Sequence, residues 1–255
     1  MLPPLDAHAH VDTAIAERDL RALGAALLAV TREPREWAAA LARRDRLCAW
    51  GLGCHPQLPE AVAGFDAEQL RRLLPQAAFV GEVGLDARSP VPMARQREVL
   101  QQVLGAAAEV PRLVSIHSVG ASGLVLDELR ACPIPGAILH WWRGSEAETR
   151  AAVTAGCWFS VNGAEVARPK VLSWLPLERV LTETDFPHTQ RQDRAARKPG
   201  AVRTVEGALA ELWQRPVTEV RRQLWVNLRE LLRACGSAGR MPRAMQALLL
   251  YSATS

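Results

Sequence analysis

The sequence predicts a single (β/α)8 barrel of the α/β class, a TIM-type barrel, on three observations. Short apolar runs alternate with longer segments of helical period, the pattern of β/α units and not of hairpins or a helical bundle. Eight such runs occur along the chain. Their cores, such as Ala26-Leu27-Leu28-Ala29-Val30 and Leu113-Val114-Ser115-Ile116, are nearly continuous in apolar residues, as strands covered on both faces require. The length of 255 residues fits one such barrel as a single domain.

In chain order, the first run ends near His10, and the others are residues 25–31, 49–54, 79–84, 113–117, 137–141, 158–163 and 180–185. Between them lie helical stripes. Pro34 precedes a helix over 37–44, Val99, Val103 and Ala106 mark another, Val205, Leu209 and Leu212 a third, and Pro216 opens the last, with Leu224, Leu228 and Leu231 on its inner face. Residues 1–239 make up the barrel. Residues 240–255 form a tail beyond the eighth unit, with a docking helix expected around 244–250.

The composition, 49% hydrophobic and 23% charged, is that of a globular enzyme and not of a disordered or fibrous chain. No apolar run approaches the roughly 20 residues of a membrane span, and the start lacks a basic segment followed by an apolar one, so a cytoplasmic protein is expected. The five cysteines are scattered without C-x-x-C spacing and read as core thiols. A net charge of +4 is compatible with a polyanionic partner without requiring one.

In such a barrel, chemistry sits at the C-terminal ends of the strands. His8 and His10 stand two residues apart on the first strand, so both imidazoles point to one face and can reach one metal. Glu82 is a carboxylate inside an apolar strand between Gly81 and Gly84, where close backbone approach is expected and an unpaired charge would cost several kcal/mol. His117, His140 and Asp185 close three later strands. Metal ligation by His8, His10, Glu82, His117, His140 and Asp185 accounts for all six placements, and each has a duller reading as a hydrogen-bonded or salt-bridged core group. A bridging group is needed if two ions bind, and neither lysine of the chain, Lys170 or Lys198, falls at a strand end. Glu82 is therefore the internal candidate to bridge. Glu183 lies one layer below Asp185, as a group behind a ligand or at the substrate, and His55 follows the third strand as a substrate contact.

The motifs resemble, in order, those of the TatD family of metal-dependent deoxyribonucleases in the amidohydrolase superfamily. Asp6-Ala7-His8-Ala9-His10-Val11-Asp12 is similar to D-x-H-x-H-x-D, Gly53-Cys54-His55-Pro56 to G-x-H-P, and Gly81-Glu82-Val83-Gly84-Leu85-Asp86 to G-E-[IV]-G-L-D. Gln96-Arg97, Ile116-His117-Ser118, His140 to Ser145, and Glu183-Thr184-Asp185-Phe186-Pro187 resemble the later motifs. The resemblance implies one metal on His8, His10, Glu82 and Asp185 and a second on Glu82, His117 and His140, both Mg2+, Mn2+ or Zn2+. It implies hydrolysis of DNA phosphodiesters through a metal-bound hydroxide, as a 3′ to 5′ exodeoxyribonuclease on single-stranded or damaged ends, with Asp185 and Glu82 as catalytic groups. The chain departs from the pattern at Val119, where the family usually has arginine, at Gln57 in place of a second histidine, and at Trp141-Trp142-Arg143. Trp141 and Arg143 are expected to contact substrate, while Trp142 reads equally as core. The basic segment 188–203, including Arg191, Arg194, Arg197, Lys198 and Arg203, is expected to grip phosphates or to be a solvated loop. Two other classes stay open: an amide, lactone or aminoacyl-ester hydrolase on the same ions, and a subunit acting only in a larger complex.

Overall fold

The computed structural model describes residues 1–191 and 197–254. Eight parallel strands, β1 (Leu5–His10), β2 (Ala26–Val30), β3 (Cys48–Leu52), β4 (Phe79–Gly84), β5 (Leu113–His117), β6 (Ala137–His140), β7 (Trp158–Val161) and β8 (Val180–Thr182), lie in sequential order in one sheet. The Asp185 N–H donates to the His8 carbonyl and the His10 N–H to the Phe186 carbonyl, each at 2.9 Å, so the chain after β8 returns to β1 and the barrel is nearly closed. All eight predicted runs are present. The last two stop early because Asn162 leaves the strand to cap a helix, accepting from the Ala164 N–H at 3.0 Å, and Asp185 takes a φ of 45°, outside the β region.

Twelve α-helices occur among the described residues: α1 (Glu17–Ala22), α2 (Trp37–Ala42), α3 (Pro59–Ala63), α4 (Ala67–Leu73), α5 (Met93–Glu109), α6 (Ser122–Ala131), α7 (Glu146–Thr154), α8 (Gly163–Val166), α9 (Pro169–Leu172), α10 (Arg203–Trp213), α11 (Val217–Ala234) and α12 (Arg243–Thr254). The longest bury the stripes their periodicity implies: Val99, Val103 and Ala106 on α5, and Leu224, Leu228 and Leu231 on α11. On α10 one expectation fails. Leu212 is 37% exposed, because the inner stripe steps by four from Val205 to Leu209 to Trp213, which packs on the core, and leaves Leu212 one position off it. Beyond α11, Met241, Met245 and Leu249 bury into the same core as the barrel, and α12 packs against α11. None of the described helices is long and apolar enough to cross a membrane.

All strands run in one direction, so their C-terminal ends share one end of the barrel. Glycine brings the β4 end close to β5: at Gly84, with φ 144°, an added Cβ would stand 2.1 Å from the His117 carbonyl oxygen, and at Gly81 one would stand 2.8 Å from the Ser115 Cβ. No other residue tolerates those approaches, and they seat Glu82 against its neighbours on β5.

Candidate metal centre

The strand ends gather His8, His10, Glu82, His117, His140 and Asp185 into one buried cluster. Glu82 is its hub, and its two oxygens face different groups. Oε2 stands 3.5 Å from His8 Nε2, 3.2 Å from His10 Nε2 and 3.3 Å from His55 Nε2. Oε1 stands 2.7 Å from His117 Nδ1 and 2.9 Å from His140 Nε2. Asp185 Oδ1 closes the first group, 3.7 Å from His8 Nε2 and 3.4 Å from His10 Nε2. His188 sets its ring edge-on to His10 with centroids 4.8 Å apart, so all six histidines of the chain meet at this end.

Behind this cluster a layer of partners fixes each ring. His8 Nδ1 meets the Ser115 hydroxyl at 2.7 Å, which turns its Nε2 toward Glu82. His117 Nε2 meets Asp86 Oδ2 at 2.8 Å, and that oxygen also accepts from the Gln57 amide at 2.6 Å. Glu183 does not line the cavity. It is fully buried behind His140, 3.6 Å from Nδ1, and accepts from the Ser160 hydroxyl, the Asn162 side-chain amide (2.9 Å) and the Trp141 N–H (3.1 Å). The last bond pins Trp141 at a φ of 41°, a costly conformation for a bulky residue, and leaves its indole half-buried at the cavity. Trp142 is core: its ring is buried, bonds Thr149 Oγ1 at 2.8 Å and meets Phe159 edge-on. Asp6 accepts from the Thr184 N–H (2.9 Å) and hydroxyl (2.7 Å) and the Gly200 N–H (2.7 Å), anchoring the chain that carries Asp185.

Burial works against charge on every member of the cluster, and on all but His8 neighbours reverse it. It pushes the Glu82 carboxyl up, yet the charges of His55 and His140 and the close imidazoles of His10 and His117 hold it well below the usual carboxylate range. Burial likewise disfavours the His10 imidazolium, and Asp185 and Glu82 override it, lifting His10 to about 9. Asp185 is held low against burial by His10, His140 and His8. On His8 burial wins, with the charge of His140 adding to it, and its pKa falls. The net result is a set of carboxylates kept anionic in a site too dry for them.

Such groups call for a cation, and two features fit one. His8 Nε2, His10 Nδ1, Glu82 Oε2, His140 Nδ1 and Asp185 Oδ1 are buried without a hydrogen-bond partner. The Nε2 atoms of His8 and His10 also stand 3.2–3.7 Å from Glu82 Oε2 and Asp185 Oδ1, while ligands at about 2.0–2.2 Å from one ion stand about 3–3.5 Å apart. His8, His10 and Asp185 form one triple able to hold a metal, and His8, Glu82 and His140 and His55, Glu82 and His117 form two others. His55 thus stands nearer the cluster than a loop residue contacting only substrate would.

Sequence reasoning passed over Asp86, Ser115, Gln57 and Asp6 as supports of the cluster, although Asp6 and Asp86 stand inside its motifs. The cavity above the cluster, about 220 Å³, is lined in part by three arginines, Arg32, Arg88 and Arg143, of which only Arg143 was anticipated. Of the segment expected to grip phosphate, His188 lines the cavity, Arg197, Lys198 and Arg203 do not, and Arg194 and the side chain of Arg191 lie outside the described residues. A larger hollow of about 650 Å³ at the opposite end of the barrel, between Leu27 and Leu248, is mostly apolar and holds none of the six histidines.

The family model described as TatD related DNase matches residues 5–233. A 3′-5′ ssDNA/RNA exonuclease TatD of Cronobacter sakazakii is 32% identical over 176 residues, which is 65% of this chain and 67% of that protein. The protein of the same name from Enterobacter lignolyticus is 28% identical over 204 residues, 75% of this chain and 78% of its own length. Among solved structures, a TatD homologue from Escherichia coli K12 superposes with a TM-score of 0.79 at 26% identity, covering 89% of this chain and 96% of that one. With its barrel, its ordered motifs and this match along most of its length, the chain belongs to the TatD-related DNase family of metal-dependent hydrolases.

Proposed function

We propose that this chain is a two-metal phosphodiesterase that degrades DNA from the 3′ end, acting on single-stranded or damaged ends. The observation that carries the reading is the division of Glu82: one oxygen faces His8 and His10, the other faces His117 and His140. His8, His10, Glu82 and Asp185 would hold one divalent ion, and Glu82, His117 and His140 the other, with Mg2+, Mn2+ and Zn2+ as candidates. Such a pair, when bound, would supply water of lowered pKa at neutral pH and charge stabilisation on the attacked and leaving oxygens.

The chain's own groups do the rest. Asp185, held anionic by His10, His140 and His8, would accept the proton of the attacking water. Glu183 holds His140 from behind, and Asp86 holds His117, so neither imidazole turns away from Glu82. The half-buried Trp141 indole offers a face to a base, a contact worth about 1–3 kcal/mol.

The test is metal analysis of the purified protein together with degradation of single-stranded DNA labelled at either end, with and without chelator. About two equivalents of metal and chelator-sensitive loss of the 3′ label first are expected. A metal-free protein, or cleavage indifferent to chelator, overturns the reading. Turnover of lactones or amides with no action on DNA would transfer the site to the other class.

A further inference from the structure

Arg32, Arg88 and Arg143 all line the cavity over the cluster, and none of their guanidinium groups makes an ion pair among the described residues. By contrast Arg97 and Arg221, which lie away from the cavity, are tied to the buried carboxylates of Glu128 and Glu206. Each of the three belongs to the loop after an even-numbered strand: Arg32 follows β2, Arg88 follows β4 and Arg143 follows β6. In a ring of strands in sequential order, those loops stand two strands apart, so the three cations spread around half of the mouth instead of meeting at one point.

Their backbones are fixed even though their side chains are exposed. The Arg88 N–H donates to Asp86 Oδ1 at 2.7 Å, and the neighbouring Ala87 N–H donates to the Val119 carbonyl at 2.9 Å, which ties this loop to the one after β5. The Arg32 N–H donates to Glu36 at 2.8 Å and its carbonyl accepts from His55. The Arg143 guanidinium lies over the Trp141 ring, 5.7 Å from its centroid. Three cations carried at separate points around the mouth match several anionic groups spaced along a ligand better than a lone phosphoester or a neutral ester.

We propose that Arg32, Arg88 and Arg143 form three separate phosphate subsites around the mouth, which grip phosphates of the bound strand beyond the scissile one. This rests on the phosphodiesterase reading above and adds the residues that select the substrate.

The experiment is binding, not turnover: fluorescence anisotropy of a labelled hexadeoxynucleotide with the intact protein in excess chelator, across a salt series. Each phosphate contact on a single strand contributes about 0.7 to the slope of log Kobs against log salt. Arg32→Ala, Arg88→Ala and Arg143→Ala should each make the slope shallower by about 0.7, and the triple variant by about 2. Arg130→Ala, on the outer face of α6, should leave it unchanged. Unaltered slopes in the three rim variants, with chelator-sensitive DNA cleavage intact in the wild type, overturn the subsites and leave the phosphodiesterase reading standing. Stepwise slope changes in a protein that cleaves no DNA support the subsites and sink that reading instead.

Discussion

The two ends of the barrel bury polar groups under opposite rules. At the N-terminal end the groups are paired with one another or with backbone. Asn227 donates to the Leu177 and Val180 carbonyls, each at 2.7 Å, the Trp225 indole to the Pro3 carbonyl at 2.8 Å, and Arg112 to the carbonyls of Ala77, Pro111 and Pro75. Asp45 takes two bonds from Arg43 and one from Trp50, all at 2.7 Å. At the C-terminal end the same degree of burial surrounds groups that lack partners: of eight unpartnered buried side-chain atoms among the described residues, five belong to His8, His10, Glu82, His140 and Asp185. The others, on Glu165, Arg229 and Ser237, are scattered. A satisfied polar group buys structure, and an unsatisfied cluster at the correct end of the fold marks chemistry.

The contrast breaks most sharply at Glu82. Glu82→Gln keeps the shape and removes the charge that faces both imidazole groups, so DNA hydrolysis should fall by at least about 10³-fold in a protein that still folds, with a lower thermal midpoint because the buried imidazoles lose the carboxylate they hold anionic. Retained activity in a steady-state assay would remove the hub from the mechanism. Asn227→Ala should touch stability alone. Two buried carbonyls lose their donor, at a cost of about 3 kcal/mol in urea unfolding, with kcat/KM unchanged. A fall in kcat/KM at constant stability would mean that the two ends are not separable.

Much of this division is legible in the sequence because histidine is scarce and strand ends are recognisable. Six histidines and eight apolar runs suffice to place most of the cluster. Its supports are harder to find. Ser115 and Asp86 act on His8 and His117 through distances of 2.7 and 2.8 Å between different strands, and no local pattern distinguishes that serine from any other in an apolar run. The two indoles after His140 look alike in sequence, and the positive φ of Trp141 decides which turns to the cavity and which enters the core. Arg32 and Arg88 are invisible for another reason: with 29 arginines, the 31 basic residues less two lysines, one more in a loop carries no signal. The Leu212 error has the same local root, since Trp213 competes for the same face of α10.

Between the two extremes stands Asp86, which is partnered like a structural group but touches the cluster. Asp86→Asn removes the charge against His117 Nε2 and should weaken metal affinity about 10–100-fold, equivalent to about 1.4–2.7 kcal/mol, with little change in unfolding. Competition with a chromogenic chelator measures it. Unchanged affinity would reduce Asp86 to a loop former that serves Gln57 and the Arg88 N–H.

The smallest effect belongs to a pair that looks as good as any in the molecule. Arg130 and Asp127 stand 2.7 Å apart on α6, the same distance as Arg43 to Asp45 and His117 to Glu82. Distance is not what separates them. The side chains of Arg130 and Asp127 are 62% and 53% exposed, so water screens the pair and solvates either partner alone, whereas the carboxylates of Asp45 and Glu82 have no such refuge. Arg130→Ala should therefore cost at most about 0.5 kcal/mol in urea unfolding and leave metal affinity untouched. A cost of several kcal/mol there would mean that pairing itself, and not burial, sets the worth of a charge in this barrel, and the distinction between its two ends would lose its physical basis.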